Sequence, residues 1–365
     1  MNTASADPAL ARLVDQVQTA RAAQGTLRIQ GGGTKDFYGE APQGEPLSTR
    51  ELRGISSYEP TELVVTVRAG TPLAELEATL AEKGQCLAFE PPRFTAGGTV
   101  GGMVAAGLAG PSRAAVGGVR DYVLGATLLN GRAEVLSFGG QVMKNVAGYD
   151  VSRVLAGSMG TLGVILEVSL KVLPVAPATT TLRFETDEAA ALRQLNQWGG
   201  QPLPIHATAW WNGMLVVRLS GAAAAVESAT AKLGGEVIEP ALAAGFWAGL
   251  RDHTDEFFAS ADRAVAAGAT LWRLSLPQVA PPMQLSGEHL VEWGGAQRWV
   301  VTTAPAATLR EVTMRLGGHA SVFRGDKAAG VFTPLSAPLA RIHREMKTAF
   351  DPDHVFNPGR LYAGL

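Results

Sequence analysis

The sequence predicts an α+β fold with more than one domain, and three observations support that prediction. The chain has 365 residues, whereas single domains usually have about 100–200. Short strand and helix patterns alternate through residues 1–90, an order typical of α+β and α/β proteins. A glycine-dense part ends near Pro174 and Pro177, and the part that follows contains most of the tryptophans. We expect a domain boundary at these prolines.

Composition excludes several classes of function. The hydrophobic fraction is 46% and the charged fraction 18%, which excludes a disordered chain. The net charge is -2 without any Lys/Arg run, so nucleic-acid binding is not expected. The single cysteine, Cys86, excludes an internal disulfide and cannot alone hold an iron–sulfur cluster. We predict no metal site, no membrane-spanning helix and no signal peptide, and hence a cytoplasmic protein.

Hydrophobic periodicity predicts the elements of the first part. Apolar residues three and four apart indicate a helix, and alternating apolar residues indicate a strand. Thr71-Pro72 supplies a capping residue and a first-turn proline, and Asn130-Gly131 is typical of a hairpin turn. In chain order we expect a helix at 7–24, strands at Leu27–Gln30 and Leu63–Arg68, a helix from Thr71-Pro72 to Lys83, and strands at Leu87–Phe89, Tyr122–Leu129, Ala133–Leu136 and Val164–Leu173.

The second part mixes strands and alanine-rich helices, with fewer glycines. Its clearest predicted strands are Met214–Leu219 and Trp299–Thr302, and its clearest helices are 222–232 and 305–315. A last helix, Ala340–Phe350, leads into the C-terminal loop. Six of the tryptophans lie in this part, at positions 210, 211, 247, 272, 293 and 299. We expect them in a domain core or a subunit interface rather than stacked on a ligand.

Glycine is the most informative residue type. Sixteen of the 43 glycines lie between Gly97 and Gly163. Two dense loops follow predicted strands, one at Gly31–Thr34 and one at Thr95–Met103. Such loops can turn consecutive N–H groups towards an anion, most often a phosphate, although tight turns and close packing would also explain them. Two such loops, each containing threonine, favour a phosphate-bearing cofactor.

The common phosphate and hydrolase motifs are missing. The chain has no Gly-Lys dipeptide, so it lacks a Walker loop, and neither glycine loop has the GxGxxG spacing of a Rossmann site. The nucleophile elbow GxSxG nearly occurs at 156–160, but its first position is Ala156. The sequence therefore excludes the signatures of nucleotide hydrolysis, Rossmann binding and the hydrolase elbow.

Four segments in a fixed order resemble a known family. They are QGGGTK, FEPPRFTAGGTVGGMVAAGLAGPSR, GGVRDYVLGATLLNGRAEVLSFGGQVMKNVAGYDVSRVLAGSMGTLGVILEVSLKVLP and FDPDHVFNPGR. This order resembles the flavin-binding oxidoreductases of the vanillyl-alcohol oxidase type, and within them the FAD-binding accessory subunits of bacterial glycolate oxidase. The resemblance implies an FAD-binding domain at 1–175, an inserted α+β cap or interface domain at 176–345 and a returning C-terminal segment at 346–365.

The resemblance also implies which residues contact the cofactor. Around the pyrophosphate and the flavin edge, the implied contacts are Gly31, Gly32, Gly33, Thr34, Lys35, Thr95, Gly97, Gly98, Thr99, Gly101, Gly102, Ala105 and Gly107. The implied adenine contacts are Gly160, Val164 and Ile165, and those on the flavin side are Asn357 and Arg360. Residues 31–40 lack the His or Cys to which some relatives attach flavin, so we expect FAD to be non-covalent.

Three charged residues near the glycines allow two interpretations. Arg113, Arg120 and Asp121 match the same resemblance, and the arginines could donate charge-assisted hydrogen bonds to phosphate. The alternative is a salt bridge, such as Arg120 with Asp121, or a solvated loop charge. Both interpretations remain open.

Oxidation of a hydroxy-acid needs a base and a cation that holds the carboxylate. His319 is the candidate base, and Arg324 or Arg273 the candidate clamp. A lone histidine is more often structural, and the paired histidines of catalytic relatives are missing. We therefore do not expect this chain alone to oxidise glycolate.

The resemblance implies partners. They are a catalytic FAD subunit and an iron–sulfur subunit of a glycolate oxidase complex, through which any association with the inner face of the membrane would occur. Two alternatives remain: a stand-alone FAD-dependent dehydrogenase for a 2-hydroxy-acid or alcohol, and a structural subunit with a redox-idle flavin site.

Overall fold

The structure is a computed structural model that describes residues 7–140 and 150–365. Part of the third segment quoted above, residues 141–149, thus lies outside the described residues. The contacts divide the chain into two compact units. The first unit contains the described residues up to Leu108, those of Gly118–Pro174, and Pro334–Leu365, whereas the second contains Ala109–Gly117 and Val175–Thr333. The domain boundaries expected at 175 and 345 stay predictions.

Seventeen strands and eleven helices are found in the described residues. The strands are β1 (Leu27–Gln30), β2 (Glu45–Ser48), β3 (Ile55–Glu59), β4 (Val64–Arg68), β5 (Gln85–Cys86), β6 (Val123–Leu129), β7 (Val135–Gly139), β8 (Val164–Lys171), β9 (Leu173–Pro174), β10 (Ala178–Glu185), β11 (Ile205–Trp211), β12 (Met214–Gly221), β13 (Glu236–Val237), β14 (Thr270–Ser275), β15 (Glu288–Glu292), β16 (Gln297–Thr302) and β17 (His319–Arg324). The helices are α1 (Pro8–Ala22), α2 (Leu73–Ala81), α3 (Val100–Ala106), α4 (Arg113–Val116), α5 (Val119–Tyr122), α6 (Glu188–Gly199), α7 (Ala223–Leu233), α8 (Pro240–Asp252), α9 (Glu256–Ala266), α10 (Ala306–Arg315) and α11 (Ala337–Phe350).

The first unit is built on a five-stranded antiparallel sheet in the order β3-β4-β8-β6-β7. Its central strand β8 has the sequence VILEVSLK and is mostly buried. Val164 and Leu166 of this strand pack in the apolar cluster that contains residues of α1. Two smaller pairs complete the unit, a parallel pair of β1 with β2 and an antiparallel pair of β5 with β9.

Helix α1 packs against the first unit through an apolar cluster. Asp7 caps it by accepting a hydrogen bond from Ala9 N at 3.0 Å, and a proline occupies the first turn. Leu13 and Val17 are buried against the aliphatic side chains of β1 and β2 and against Phe356. Apolar residues spaced three and four apart along α1 thus form the face that packs.

The C-terminal helix α11 is held by one buried ion pair. Lys347 Nζ lies 2.7 Å from Asp351 Oδ2 and donates hydrogen bonds to the carbonyls of Thr161 at 2.7 Å and Phe356 at 2.8 Å. Asp351 in turn accepts hydrogen bonds from the N–H groups of Val355 and Phe356. Burial lowers the pKa of Lys347, and the nearby Asp351 carboxylate opposes that effect. This cluster fixes the chain that follows α11.

The second unit contains an eight-stranded antiparallel sheet in the order β13-β10-β12-β11-β15-β16-β14-β17. Residues of α6 and α7 pack on β10 and β12 in one apolar cluster, and Leu309 of α10 packs with β14, β16 and β17 in another. Trp247, Trp272, Trp293 and Trp299 are buried, as expected for core residues.

Most predicted elements are confirmed within one to three residues at each end, but two local predictions are wrong. The strand near Leu87–Phe89 lies instead at Gln85–Cys86, and residues 87–89 form a buried turn. Thr71 does not cap α2, because its hydroxyl exchanges hydrogen bonds with the backbone of Gly54. No helix in the described ranges is long and apolar enough to span a membrane.

Replacing Lys347 by Met should destabilise the first unit. The change leaves the carboxylate of Asp351 buried without its cation, which typically costs about 3–5 kcal/mol. The free energy of unfolding from urea denaturation measures this loss. Lys83→Met is the matched control, because Lys83 is exposed and surface changes usually stay within about 0.5 kcal/mol. Equal stability of the two variants would contradict this account of α11.

Candidate functional site

A cavity in the first unit brings the two glycine loops together with the C-terminal segment. Residues from β1, both loops, the turn at Met159 and the segment after α11 line it. Of the residues implied as cofactor contacts, those that line it are Gly31, Gly32, Gly33, Thr34, Lys35, Thr99, Gly101, Gly102, Ala105, Gly160, Ile165, Asn357 and Arg360. Residues far apart in sequence therefore meet at one place.

The two loops approach so closely that glycine is required. A Cβ at Gly32 would overlap the carbonyl group of Gly97, and one at Gly31 would overlap the side chain of Thr99. Gly33 also has a φ of +73°, which favours glycine. The glycines thus serve close backbone packing as well as exposing N–H groups.

The carbonyl groups of the first loop are held by Arg50. Its Nε donates to Gly31 O at 2.9 Å and its Nη2 donates to Gly32 O at 3.4 Å. In a trans peptide the N–H points opposite to the C=O, so the N–H groups of Gly32 and Gly33 face away from Arg50. In the described part of the chain, no group accepts a hydrogen bond from the N–H groups of Gly31–Thr34. This leaves a run of free donors suited to an anion.

Asn357 and Arg360 support the cavity from the other end of the chain. Asn357 Oδ1 accepts from Ile29 N at 2.7 Å, and its Nδ2 donates to Met159 O at 2.6 Å. Arg360 donates to the carbonyls of Lys35, Asp36 and Glu40. Both side chains therefore use polar groups on the protein backbone, and they act as positioning residues for the glycine loop.

The charge of the cavity is positive. Its lining includes three cationic side chains, Arg28, Lys35 and Arg360, and one carboxylate, Asp36. Burial lowers the pKa of Arg360, the carboxylates of Asp36 and Glu40 raise it, and the nearby Arg28 lowers it further. An anionic ligand would relieve this concentration of positive charge.

Other residues implied as contacts lie away from this lining. Val164 is fully buried in the apolar cluster beneath α1, and Gly107 ends α3 with a φ of 63° against the backbone of Gly157. Gly97 and Gly98 form the backbone against which the first loop packs, while Thr95 lies just before them. We find no contribution of these five to the cavity wall.

The three charged residues near the glycines also lie elsewhere. Arg120 lines a separate depression beside α11, and the Asp121 carboxylate accepts from Gly118 N at 2.8 Å to cap α5. Arg113 belongs to the second unit, where its guanidinium lies 4.7 Å from the centre of the Trp293 ring. The structure thus places none of them in the cavity, and it does not pair Arg120 with Asp121.

The predicted catalytic pair in the second unit is separated. His319 begins β17 and Arg324 ends it, which puts them about 16 Å apart along the strand. Arg324 Nη1 is paired with Asp262 Oδ1 at 2.6 Å. His319 is exposed, although surrounding protein atoms lower its pKa and the charge of Arg273 adds to that effect. The structure thus does not bring His319 and Arg324 together, and their roles as base and carboxylate clamp stay a prediction.

Arg273 belongs to a buried polar chain that sequence reasoning missed. Its Nε donates to Gln297 Oε1 at 2.7 Å, and Gln297 Nε2 donates to Glu292 Oε2 at 3.0 Å. Trp299 Nε1 donates to the same carboxylate at 2.6 Å. Burial raises the pKa of Glu292 to about 7, against the effect of these two hydrogen bonds. The alternation of apolar and polar residues along β16 does not indicate these hydrogen bonds, because the side chains that make them lie on different strands.

Comparison with known proteins finds a relative that matches nearly the whole chain. The sequence is 46% identical over 354 residues to glycolate oxidase subunit GlcE of Escherichia coli strain K12, and the match covers 97% of both chains. The chain belongs to the GlcE family of glycolate oxidase subunits. Residues 10–139 of this GlcE-family chain also match the FAD binding domain family, which confirms both the resemblance and the cofactor.

Other relatives match the GlcE-family chain in part. D-lactate dehydrogenase of Anaerostipes hadrus is 34% identical over 139 residues, which is 38% of this chain and 29% of that protein. Glycolate oxidase subunit GlcD of Bacillus subtilis strain 168 is 30% identical over 166 residues, 44% of this chain and 35% of that one. The structure of alkyldihydroxyacetonephosphate synthase in P1 matches with a TM-score of 0.64 at 14% identity, covering 95% of this chain and 75% of that chain. The predicted α+β fold of the vanillyl-alcohol oxidase type, with an inserted cap, is confirmed.

The GlcE-family chain is thus an FAD-dependent oxidoreductase subunit, and the cavity residues fit the cofactor. FAD carries a pyrophosphate, and the cavity offers free N–H groups from Gly31–Thr34 together with a positive lining. The residues that sequence reasoning missed here are Arg28 and Arg50. In the sequence, Arg28 belongs to the strand before the first glycine loop and Arg50 follows β2, and neither position by itself indicates an anion site.

Gly32→Ala should abolish the close approach of the two loops. The added Cβ overlaps backbone at Gly97, which cannot rotate away, so we expect a loss of at least about 2 kcal/mol of stability and at least a tenfold loss of FAD affinity. Flavin fluorescence titration and urea denaturation measure the two effects. Gly25→Ala is the control, because its Cβ would lie 3.7 Å from Ala20 O, an ordinary contact. Normal FAD affinity in Gly32→Ala would rule out this packing.

Glu292→Gln should change how stability depends on pH. The folded-state pKa of about 7 exceeds the ordinary 4.5, so the folded state keeps a proton that the unfolded state releases between these values. This contribution to stability is present below about pH 4.5 and is lost as pH rises through 7, on the order of 2–3 kcal/mol. Urea denaturation between about pH 5 and 8 should show Glu292→Gln gaining stability relative to the wild type as pH rises. Glu185→Gln, a change at an exposed carboxylate of β10, is the control; parallel curves for all three proteins would exclude this role of Glu292.

Proposed function

We propose that this chain is the FAD-binding subunit of a complex that oxidises glycolate to glyoxylate and passes the electrons to an iron–sulfur partner. The single observation that carries the proposal is the positive cavity with free loop N–H groups in a chain similar to GlcE along its whole length. FAD bound to this chain would supply a two-electron acceptor for the electrons that the catalytic partner takes from glycolate.

Several residues would hold FAD in this proposal. The N–H groups of Gly31–Thr34 bind its pyrophosphate. Arg50 and Arg360 hold that loop and the residues after it by donating to their carbonyls, and Asn357 holds the strand before it by accepting from Ile29 N. The hydrogen bond from Asn357 Nδ2 to Met159 O also holds the turn at Gly160 against β1. Cofactor binding thus depends on both ends of the sequence.

The distribution of chemistry favours partner subunits. The chain has a single cysteine, Cys86, so thiolate ligands for an iron–sulfur cluster must come from another protein. His319 and Arg324 lie at opposite ends of one strand, and the other candidate clamp, Arg273, donates to Gln297 in the buried polar chain. We therefore propose that a partner supplies the base and the carboxylate clamp for one small acid. We propose a GlcD-type flavoprotein as the catalytic partner, because GlcD of Bacillus subtilis is a glycolate oxidase subunit. We also propose that the complex works in the cytoplasm, with any membrane contact made by partners.

An absorbance spectrum of the purified chain, before and after anaerobic addition of glycolate, tests the proposal. We expect a yellow protein that stays oxidised with glycolate alone and is reduced once the flavoprotein partner is added. The Gly32→Ala variant, mixed with the same partner, controls for flavin carried by the partner.

Two results would contradict the proposal. Rapid bleaching by glycolate without partners would mean that the chain is a stand-alone dehydrogenase. A colourless protein that takes up no added FAD would mean a structural subunit.

A further inference from the structure

One cation of the cavity, Arg28, has a buried nitrogen without a hydrogen-bond partner among the described residues. Arg28 lies on β1 and lines the cavity. Its Nε is shielded from solvent and has no hydrogen-bond partner among the described residues. A buried donor without an acceptor is unfavourable, and the penalty is larger when the group is charged. A bound ligand that accepts a hydrogen bond from Arg28 Nε would remove this penalty.

The other cations of the cavity are already engaged. Arg360 donates hydrogen bonds to three backbone carbonyls. Lys35 Nζ lies 3.4 Å from Thr34 Oγ1 and 5.6 Å from the centre of the Phe94 ring. Asp36, the one lining carboxylate, lies 3.5 Å from the amide nitrogen of Gln30. No ion pair joins it to Arg28 within the described ranges.

Arg28 and Arg360 are like charges that line the same cavity. Burial lowers the pKa of Arg360, the carboxylates of Asp36 and Glu40 raise it, and Arg28 lowers it by a smaller amount. Two guanidinium groups that face one partly closed cavity repel each other, and this repulsion is strong where water is excluded. An anion between or beside them would convert the repulsion into attraction. The cavity is thus built for a ligand with concentrated negative charge.

The strand that carries Arg28 also carries the glycine loop. β1 pairs with β2 on one side, and on the other Leu27 N donates to Val355 O at 2.7 Å while Ile29 N donates to Asn357 Oδ1 at 2.7 Å. Gly31 begins the loop directly after β1. A rigid support of this kind fixes the position of Arg28 relative to the free N–H groups.

We propose that Arg28 binds the pyrophosphate of FAD together with the N–H groups of the glycine loop, and that its charge supplies much of the affinity for the diphosphate. This inference rests on the proposed FAD site and adds the residue that recognises the anion. Arg28 contributes a charge-assisted hydrogen bond, whereas Arg50 and Arg360 position the loop. Ligands with a diphosphate should therefore depend on Arg28, and ligands without one should not.

Titration of the full-length apoprotein with FAD, ADP and adenosine tests the proposal. Arg28→Met should weaken FAD and ADP by about 10–100-fold, because a hydrogen bond to a charged group contributes about 1.5–3 kcal/mol. Adenosine has no phosphate, so its affinity should change by less than about twofold. Arg28→Lys keeps the charge and should retain more ADP affinity than Arg28→Met. Arg53→Met is the matched control, because Arg53 is an exposed residue paired with Glu75 outside the cavity lining.

Each possible result is decisive. Wild-type affinity of Arg28→Met for ADP, with FAD alone weakened, would place Arg28 at another part of FAD and overturn the proposal. An equal loss for adenosine and ADP would mean a structural role and would also overturn it. Should Arg28→Met fail to fold, the ratio of ADP to adenosine affinity in Arg28→Lys decides, and an unchanged ratio overturns the proposal. If the wild type bound neither FAD nor ADP, the FAD site itself would be wrong, which is a different failure.

Discussion

The cavity depends on one tie between the two ends of the sequence. Strand β1 exchanges hydrogen bonds with the chain after α11: Leu27 N donates to Val355 O, and Asn357 N donates to Leu27 O. The Asn357 side chain adds Ile29 and Met159 to this connection. The buried pair of Lys347 with Asp351 holds the returning segment in place. Without this tie the glycine loop would lack its rigid base, and Arg360 could not reach it.

In the same region, the arginines that shape the cavity are held by hydrogen bonds to neutral groups. Carbonyl groups, not carboxylates, accept from Arg50 and Arg360. A carbonyl orients a guanidinium without neutralising its charge. The cavity can therefore be rigid and still positive, because the hydrogen bonds that set its shape leave its net charge unchanged. A salt bridge in the same place would have given rigidity at the cost of attraction for a phosphate.

Much of this arrangement could be predicted from the sequence, because it rests on local patterns. The strand Leu27–Gln30 and the loop Gly31–Thr34 were predicted correctly, since alternation and glycine clustering act over a few residues. The roles of Arg28 and Arg50 were not, because a cation in a sequence does not reveal which carbonyl or cavity it faces. His319 and Arg324 seemed close for the opposite reason. They are near in sequence, but an extended strand keeps its ends far apart.

The tie between β1 and Asn357 has a consequence for biosynthesis. A ribosome releases the chain from its N-terminus, so the first glycine loop leaves long before Asn357 and Arg360 are made. The wall of the cavity is therefore incomplete while most of the protein is already outside the ribosome. We therefore expect FAD to bind after the synthesis of residue 360 rather than during the folding of the first 140 residues. Until that point, the nascent first unit must persist without its cofactor.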